Sequence, residues 1–321
     1  MHPALSVIIF TTLSGIGFGL MSLLGIGLGG DTLAFRWTAV VLAYGFAVIG
    51  LLSSVAHLKS PARAIHAFSQ WRSSWLSREG VLSVLTLGVF GLWALAFLFM
   101  DTSIGALGIA AALLALVTIF STSMIYAQLR TVPHWATWLT SAVFLSFGIA
   151  GGLLLLAWLL ALFGEEGTRR ASQFALVALL VAWGVKAAWW RRAAKATLIS
   201  AGSGTGDATG LGRLGGVRPF EPPHTSPNYL MREMAFELGR KRARALRRVA
   251  VWAGAVLPLL LVLLATYASV APAALLLIAL LVHLAGMLAE RWLFFAEARH
   301  AVASFYGIGQ ADGAVSSRAM L

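Results

Sequence analysis

Cysteine is absent from all 321 residues. The chain therefore forms no disulfide, gives no thiolate to an iron–sulfur cluster and has no cysteine nucleophile. Charge is scarce as well: Asp, Glu, Lys and Arg make up 11% of the residues, against roughly 25% in soluble domains. Acidic residues are scarcest, 12 against 24 Lys and Arg, for a formal charge of +12. No basic stretch precedes the first apolar run, MHPALSVIIF, so this run is expected to stay as a helix and not to be cleaved as a signal. What fills the sequence instead is apolar, with 59% hydrophobic residues and a mean hydropathy of +0.85. That composition excludes a soluble globular protein and predicts a polytopic membrane protein. Any redox centre must then be a quinone, a haem or a cofactor held by a partner.

Eight apolar runs reach the roughly 18 to 25 residues needed to cross a hydrocarbon core. They cover 5–28, 37–57, 81–100, 104–129, 137–163, 173–190, 249–270 and 273–296. The expected fold is all-α, a bundle of eight transmembrane helices forming one membrane domain over 1–321. Alternating the spans puts both termini on one side with the loops 58–80, 130–136 and 191–248. That side holds 21 of the 24 Lys and Arg, leaving Arg36, Arg169 and Arg170 opposite. Because cytoplasmic loops carry the excess of basic residues, both termini are predicted to be cytoplasmic.

The basic cytoplasmic loop 191–248 divides in two. Its first half, SAGSGTGDATGLGRLGGVRP, is rich in Gly and Ser and reads as a linker. In its second half Thr225, Ser226 or Asn228 is placed to cap a basic amphipathic helix that runs into the seventh span. That helix fits an anionic lipid surface or a protein partner equally well. The tail 307–321 is expected to be disordered.

Ionisable groups at membrane depth are costly, so each one is a candidate. His57 ends the second span, with an imidazole suited to exchanging a proton near neutral pH. Glu79 opens the third, and the two meet if the segment between them folds back. A satisfied interfacial histidine and a carboxylate favoured by a helix dipole are the plain alternatives. Trp71 and Trp75, with Phe68 near them, are expected on one helical face, as interfacial anchors or as walls for a planar ring. Lys186 is expected to snorkel from the end of the sixth span. His283, Glu290 and Arg291 lie in the eighth. His57 and His283 form the one candidate pair of haem ligands, but at different depths, which favours a hydrogen-bonded core histidine at 283. The glycine-rich run GSGTGDATGLG lacks a preceding strand and a Walker lysine, which argues against a phosphate loop. Gly15, Gly17 and Gly19, and Gly148, Gly151 and Gly152, suit close helix packing.

The stretch HLKSPARAIHAFSQWRSSWLSREG resembles membrane anchor subunits of the dimethyl-sulfoxide-reductase type, among the quinone-interacting anchors of molybdopterin oxidoreductases. His57, Pro61, Arg63, Ser77 and Glu79 stand where that family has its histidine, proline, arginine and Leu-Ser-x-Glu. SMIYAQLRTVPHW, through Met124, Tyr126, Thr131, Pro133 and Trp135, and LAERWLFF, through Glu290 and Arg291, are similar to further family segments. Lys59 departs from the usual glycine after His-Leu. The inward-facing basic side and the PPHTSPNYLMREM loop look most like the anchor of the cytoplasmic sulfite-oxidising enzyme of that group.

The resemblance implies a quinone, ubiquinone or menaquinone, bound by this chain, and no haem. Molybdopterin and iron–sulfur clusters would lie in two partner subunits on the cytoplasmic face of a bacterial inner membrane. His57 and Glu79 become the proton-exchanging pair, with Arg63, Trp71, Trp75, Ser77, Arg78 and Tyr126 around the quinone. Lys59, Arg72, Arg130, His134, Tyr229 and Arg232 become the residues that dock the partner. Two other readings stay open: the anchor of a reductase that oxidises quinol, and a multispan transporter with a midplane site.

Overall fold

The computed structural model describes residues 4–56, 61–100, 104–196, 202, 204–217, 220–221, 237–268 and 271–302, with 61–63 and 237–242 by backbone alone. Among these, every regular element is helical. The order is α1 (Leu5–Gly25), α2 (Leu33–Ala56), a 3₁₀ helix (Pro61–Gln70), α3 (Trp75–Phe99), α4 (Gly105–Ala127), α5 (Trp138–Leu162) and α6 (Thr168–Lys195). A short α7 (Thr205–Thr209) follows, then α8 (Glu237–Val251), α9 (Leu257–Tyr267) and α10 (Pro272–Ala296). Eight helical stretches are long and apolar enough to span a membrane, the seventh running from Ala243 through the end of α8 into α9. The expected caps of α8 at 225–228, and the tail from 303, lie outside the described residues.

Burial sorts the bundle. The apolar windows of α1 and α5 are each 78% buried, against 28% for α2 and 33% for α3 and α10, so α1 and α5 form the centre and the others present a face to lipid. The centre is tight because its contact is between backbones. A Cβ on Gly152 would lie 2.6 Å from the carbonyl carbon of Gly19, and one on Gly148 would lie 3.0 Å from the carbonyl oxygen of Gly15. No larger residue fits there without moving the helices, which is how small residues let membrane helices approach.

Several span boundaries differ from the sequence expectation, the third and sixth spans for one reason. The third span begins at Trp75 and not at 81, since Ser74 Oγ accepts from the Ser77 N–H at 3.5 Å as its N-cap. The sixth runs from Thr168 to Lys195, beyond 173–190. In both, charged residues inside the helix lower the local hydropathy without ending the helix.

The seventh span has a π-helical turn at Trp252–Val256. Pro258 has no N–H for the carbonyl of Gly254 four residues earlier, and His283 Nδ1 donates to that oxygen at 2.6 Å. Position 283 is thus the hydrogen-bonded core histidine that the sequence favoured. Gly286 packs directly on Gly254 beside it.

Candidate functional site

The segment before α3 folds back over the start of that helix. Its 3₁₀ helix repeats every three residues, which eclipses side chains three apart. Ile65 and Phe68 stand out at 71% and 40% exposed. The hydroxyl of Ser77 donates to the carbonyl of Ala67. Arg78 donates from Nε to the carbonyl of Trp71 at 3.0 Å and from Nη2 to that of Arg72 at 2.6 Å. Its guanidinium also covers the Trp75 ring at 4.4 Å. Ser77 and Arg78 are therefore the clips that hold the folded-back segment, and Arg78 does not pair with Glu79. Trp71 and Trp75 do not share a helical face as expected. The 3₁₀ helix ends at Gln70, whose carbonyl takes the N–H groups of Ser73 and Ser74, and α3 restarts at Trp75.

Glu79 lies one turn after Trp75 on the same face of α3 and is 4% exposed. Thr122 of α4 donates to its Oε1 at 2.5 Å. Deeper in the bundle Thr86, two turns on from Glu79, and Thr118, one turn back from Thr122, join the same two helices through their hydroxyls at 2.8 Å. These two polar rungs fix the register of α3 against α4 and aim the carboxylate into the bundle. Trp75 is braced edge-on by Phe120 at 5.9 Å. Tyr126, one turn beyond Thr122, is buried among Trp135, Phe144, Phe294 and Phe295. It stands within electrostatic reach of both Glu79 and Arg291.

Behind Glu79 the bundle encloses three more charges. Lys186 of α6 forms an ion pair with Glu290 of α10, and both are 0% exposed. Arg291 is 1% exposed, lies 3.4 Å from the other oxygen of Glu290, and covers the Phe144 ring at 3.8 Å. The expectation that Lys186 snorkels is therefore wrong. Nine residues, about 13 Å at 1.5 Å per residue, separate it from the end of α6 at Lys195, and the rings of Trp189 and Trp190 enclose its ammonium at 3.7 and 5.2 Å. Lys186 and Arg291 belong to the interior and not to the basic face of the loops.

Of the expected site, the structure brings together Trp75, Ser77, Arg78, Glu79 and Tyr126. His57, Lys59, Tyr229 and Arg232 lie outside the described residues, as does the side chain of Arg63. Arg72 and Arg130 are exposed on the loops at this end. His134 is half-buried, its carbonyl accepting from Arg192 at 3.4 Å. Burial pushes its imidazole down to about 4, helped by the charges of Arg299 and Arg192. Thr122 went unread, because a lone threonine in an apolar run carries no signal of its partner. The Lys186–Glu290 pair was accessible in principle, as two opposite charges inside predicted spans. Among the described residues no group of three or more His, Asp and Glu is placed to hold a metal ion.

Known proteins resemble the chain in sequence. The model of the DMSO reductase anchor subunit (DmsC) family matches residues 1–202. A sulfite dehydrogenase subunit of Allochromatium vinosum is 31% identical over 327 aligned positions, which cover 95% of this chain and 99% of that protein. The anaerobic dimethyl sulfoxide reductase chain YnfH of Escherichia coli is 30% identical over 136 positions, 41% of this chain and 46% of its own length. No solved structure matches. With eight apolar spans and a family match over most of its length, the chain is a multi-pass membrane anchor of the DMSO reductase anchor subunit (DmsC) family.

Proposed function

We propose that this chain is the quinone-reactive anchor of a molybdopterin and iron–sulfur complex that oxidises sulfite and reduces quinone. The observation that carries the reading is Glu79, a carboxylate buried at the end of the bundle where the 3₁₀ segment folds over α3, with a single hydroxyl donor. The resemblance in sequence to the sulfite dehydrogenase subunit of Allochromatium vinosum, over nearly the whole of both chains, favours sulfite as the partner's substrate. In this reading both termini and the folded-back segment face the cytoplasm of a bacterial inner membrane. The molybdopterin and iron–sulfur subunits dock there, against Arg72, Arg130 and the exposed Ile65 and Phe68.

The residues present fit a quinone. A carboxylate with acceptor positions to spare can face a quinone oxygen, the Trp75 ring offers an apolar wall, and His57 is the candidate partner from α2. When bound, a quinone takes up two electrons and two protons. Glu79 takes a proton from the loop side, passes it towards that oxygen and returns to the carboxylate. Trp75 and the packed α3–α4 contact keep bulk water from the carboxylate, and Thr122 fixes the direction in which it points. The Arg78 clip keeps the segment bearing Arg63 over the site.

The test is Glu79→Gln and His57→Ala in the assembled complex, assayed with sulfite and a quinone and, separately, with sulfite and a dye that takes electrons from the molybdenum subunit. Both substitutions are expected to abolish quinone-linked turnover and spare dye-linked turnover. Full quinone-linked turnover in both would show that the site is misplaced.

A further inference from the structure

Arg291 is the interior charge to which the quinone reading gives no role. Its Nε and Nη1 have no hydrogen-bond partner among the described residues, although the residue is 1% exposed. Its anionic neighbour Glu290 is shared with Lys186, so the three together hold one positive charge in excess. Two cations with one anion in a low-dielectric interior are unfavourable unless another charge answers them. Among the described residues the one other buried carboxylate is Glu79.

A small cavity lies between Arg291 and Thr122, the residue that donates to Glu79. Its volume is about 10 Å³, and Arg291, Thr122, Thr11 and Ser14 supply polar groups to its wall, with Phe144 and Phe147 closing it. That is the room of about one water, with the two to four polar partners a buried water needs. On its far side Thr122 already donates to Glu79. A water there accepts from an Arg291 N–H and donates to Thr122 Oγ1, whose own hydrogen points to Glu79 Oε1. The one Thr122 hydrogen has two acceptors in reach, Glu79 Oε1 at 2.5 Å and the Thr118 carbonyl at 3.1 Å, and the shorter bond is the one to Glu79. The water's second hydrogen can meet the hydroxyl oxygen of Thr11 or Ser14 on the cavity wall, and the polarisation along such a chain favours the ionised carboxylate.

We propose that one buried water in this cavity links Arg291 through Thr122 to Glu79, making Arg291 the positioning residue that holds Glu79 as a carboxylate between proton transfers. With Glu79 ionised the four interior charges sum to zero, and with Glu79 protonated the interior is left with one positive charge. Arg291 thus drives the proton off again, a role that rests on the quinone reading for its purpose though not for its geometry.

The groups around Glu79 leave Arg291 as the charge acting through Thr122. The spans of α1 and α5 contain no Asp, Glu, His, Lys or Arg, and α4 offers Tyr126 alone as a titratable group. On α2, Arg36 donates to the carbonyl of Phe97 at the far end of α3 and Tyr44 donates to the carbonyl of Leu87, while His57 lies outside the described residues. On α3 itself Arg78 is committed to the carbonyls of Trp71 and Arg72. Arg63 and His66 stand in the segment folded over the site. Lys186 and Glu290 act through their pair.

The experiment is an infrared pH titration of the Glu79 carboxyl band in the assembled complex, with the band assigned by its loss in Glu79→Gln. Arg291→Gln and Thr122→Val are each expected to raise the midpoint by about one pH unit or more, the usual effect of losing a nearby opposite charge or its link. Arg291→Lys, which keeps the charge, should restore most of the shift. An unmoved midpoint in assembled Arg291→Gln overturns the proposal. If that variant does not assemble, an unmoved midpoint in Thr122→Val does so. Full quinone turnover in Glu79→Gln would remove the quinone reading alone, and the midpoints would still decide this link.

Discussion

Two carboxylates at opposite ends of the bundle, one tied between loops and the other proposed to exchange protons, differ in how they are supplied with donors. Glu165, in the turn between α5 and α6, accepts from the N–H of Asp31 at 3.1 Å, the N–H of Thr32 at 3.0 Å and the hydroxyl of Thr32. Its slight burial raises the carboxyl's proton affinity, but the bonds to Thr32 and Asp31 outweigh this and hold it below the ordinary value. Glu79 is buried and has one hydroxyl donor. A carboxylate saturated with donors in water ties two loops together and has little reason to take a proton. One that is under-supplied at membrane depth is poised to exchange it, provided the interior balances its charge.

The largest effect should come from disturbing that balance. Glu290→Ala leaves Lys186 and Arg291 buried without their anion and is expected to cost about 3–5 kcal/mol, read as a lower unfolding temperature or loss of the assembled chain. The double change Lys186→Met with Glu290→Leu should recover much of it, since a well-packed apolar pair replaces a buried ion pair at little cost. A fully stable Glu290→Ala would show that the interior tolerates the unbalanced charge.

A smaller effect is expected at His134. The unfolded chain takes up a proton on this imidazole below about pH 6.5, whereas the folded one stays neutral down to about 4. Stability should fall as pH falls through this window, by at most about 1.4 kcal/mol per pH unit. The slope should lessen in His134→Asn when unfolding is followed against pH, the remainder including that of His300, whose imidazole is also held below its ordinary value by burial.

The smallest belongs to Glu165. Its depressed folded value means that its contribution is present above the ordinary carboxylate range and is lost as pH falls through the folded value. Glu165→Gln should loosen the loop at Asp31 and Thr32, seen as faster amide exchange there, with no change in turnover.

The sequence made the spans legible because a helix that crosses lipid must be apolar for about twenty residues, and little else in a chain looks like that. It erred where charges sit inside helices, at the starts of α3 and α6. Glu79 was legible as a charge at a span's edge. Its setting was not, because Thr122 comes from another helix and meets it only through packing. Lys186 shows the same limit: its position near a helix end suggested a water-seeking side chain, and only the facing Glu290 and the enclosing tryptophans reveal an interior ion pair.

The most direct test sets the two carboxylates side by side, measuring quinone-linked sulfite oxidation by Glu79→Gln and Glu165→Gln complexes in the same membranes. A loss of about a hundredfold or more is expected for Glu79→Gln, the scale of a missing acid–base group, with Glu165→Gln close to the unaltered complex. Equal turnover in the two would contradict it.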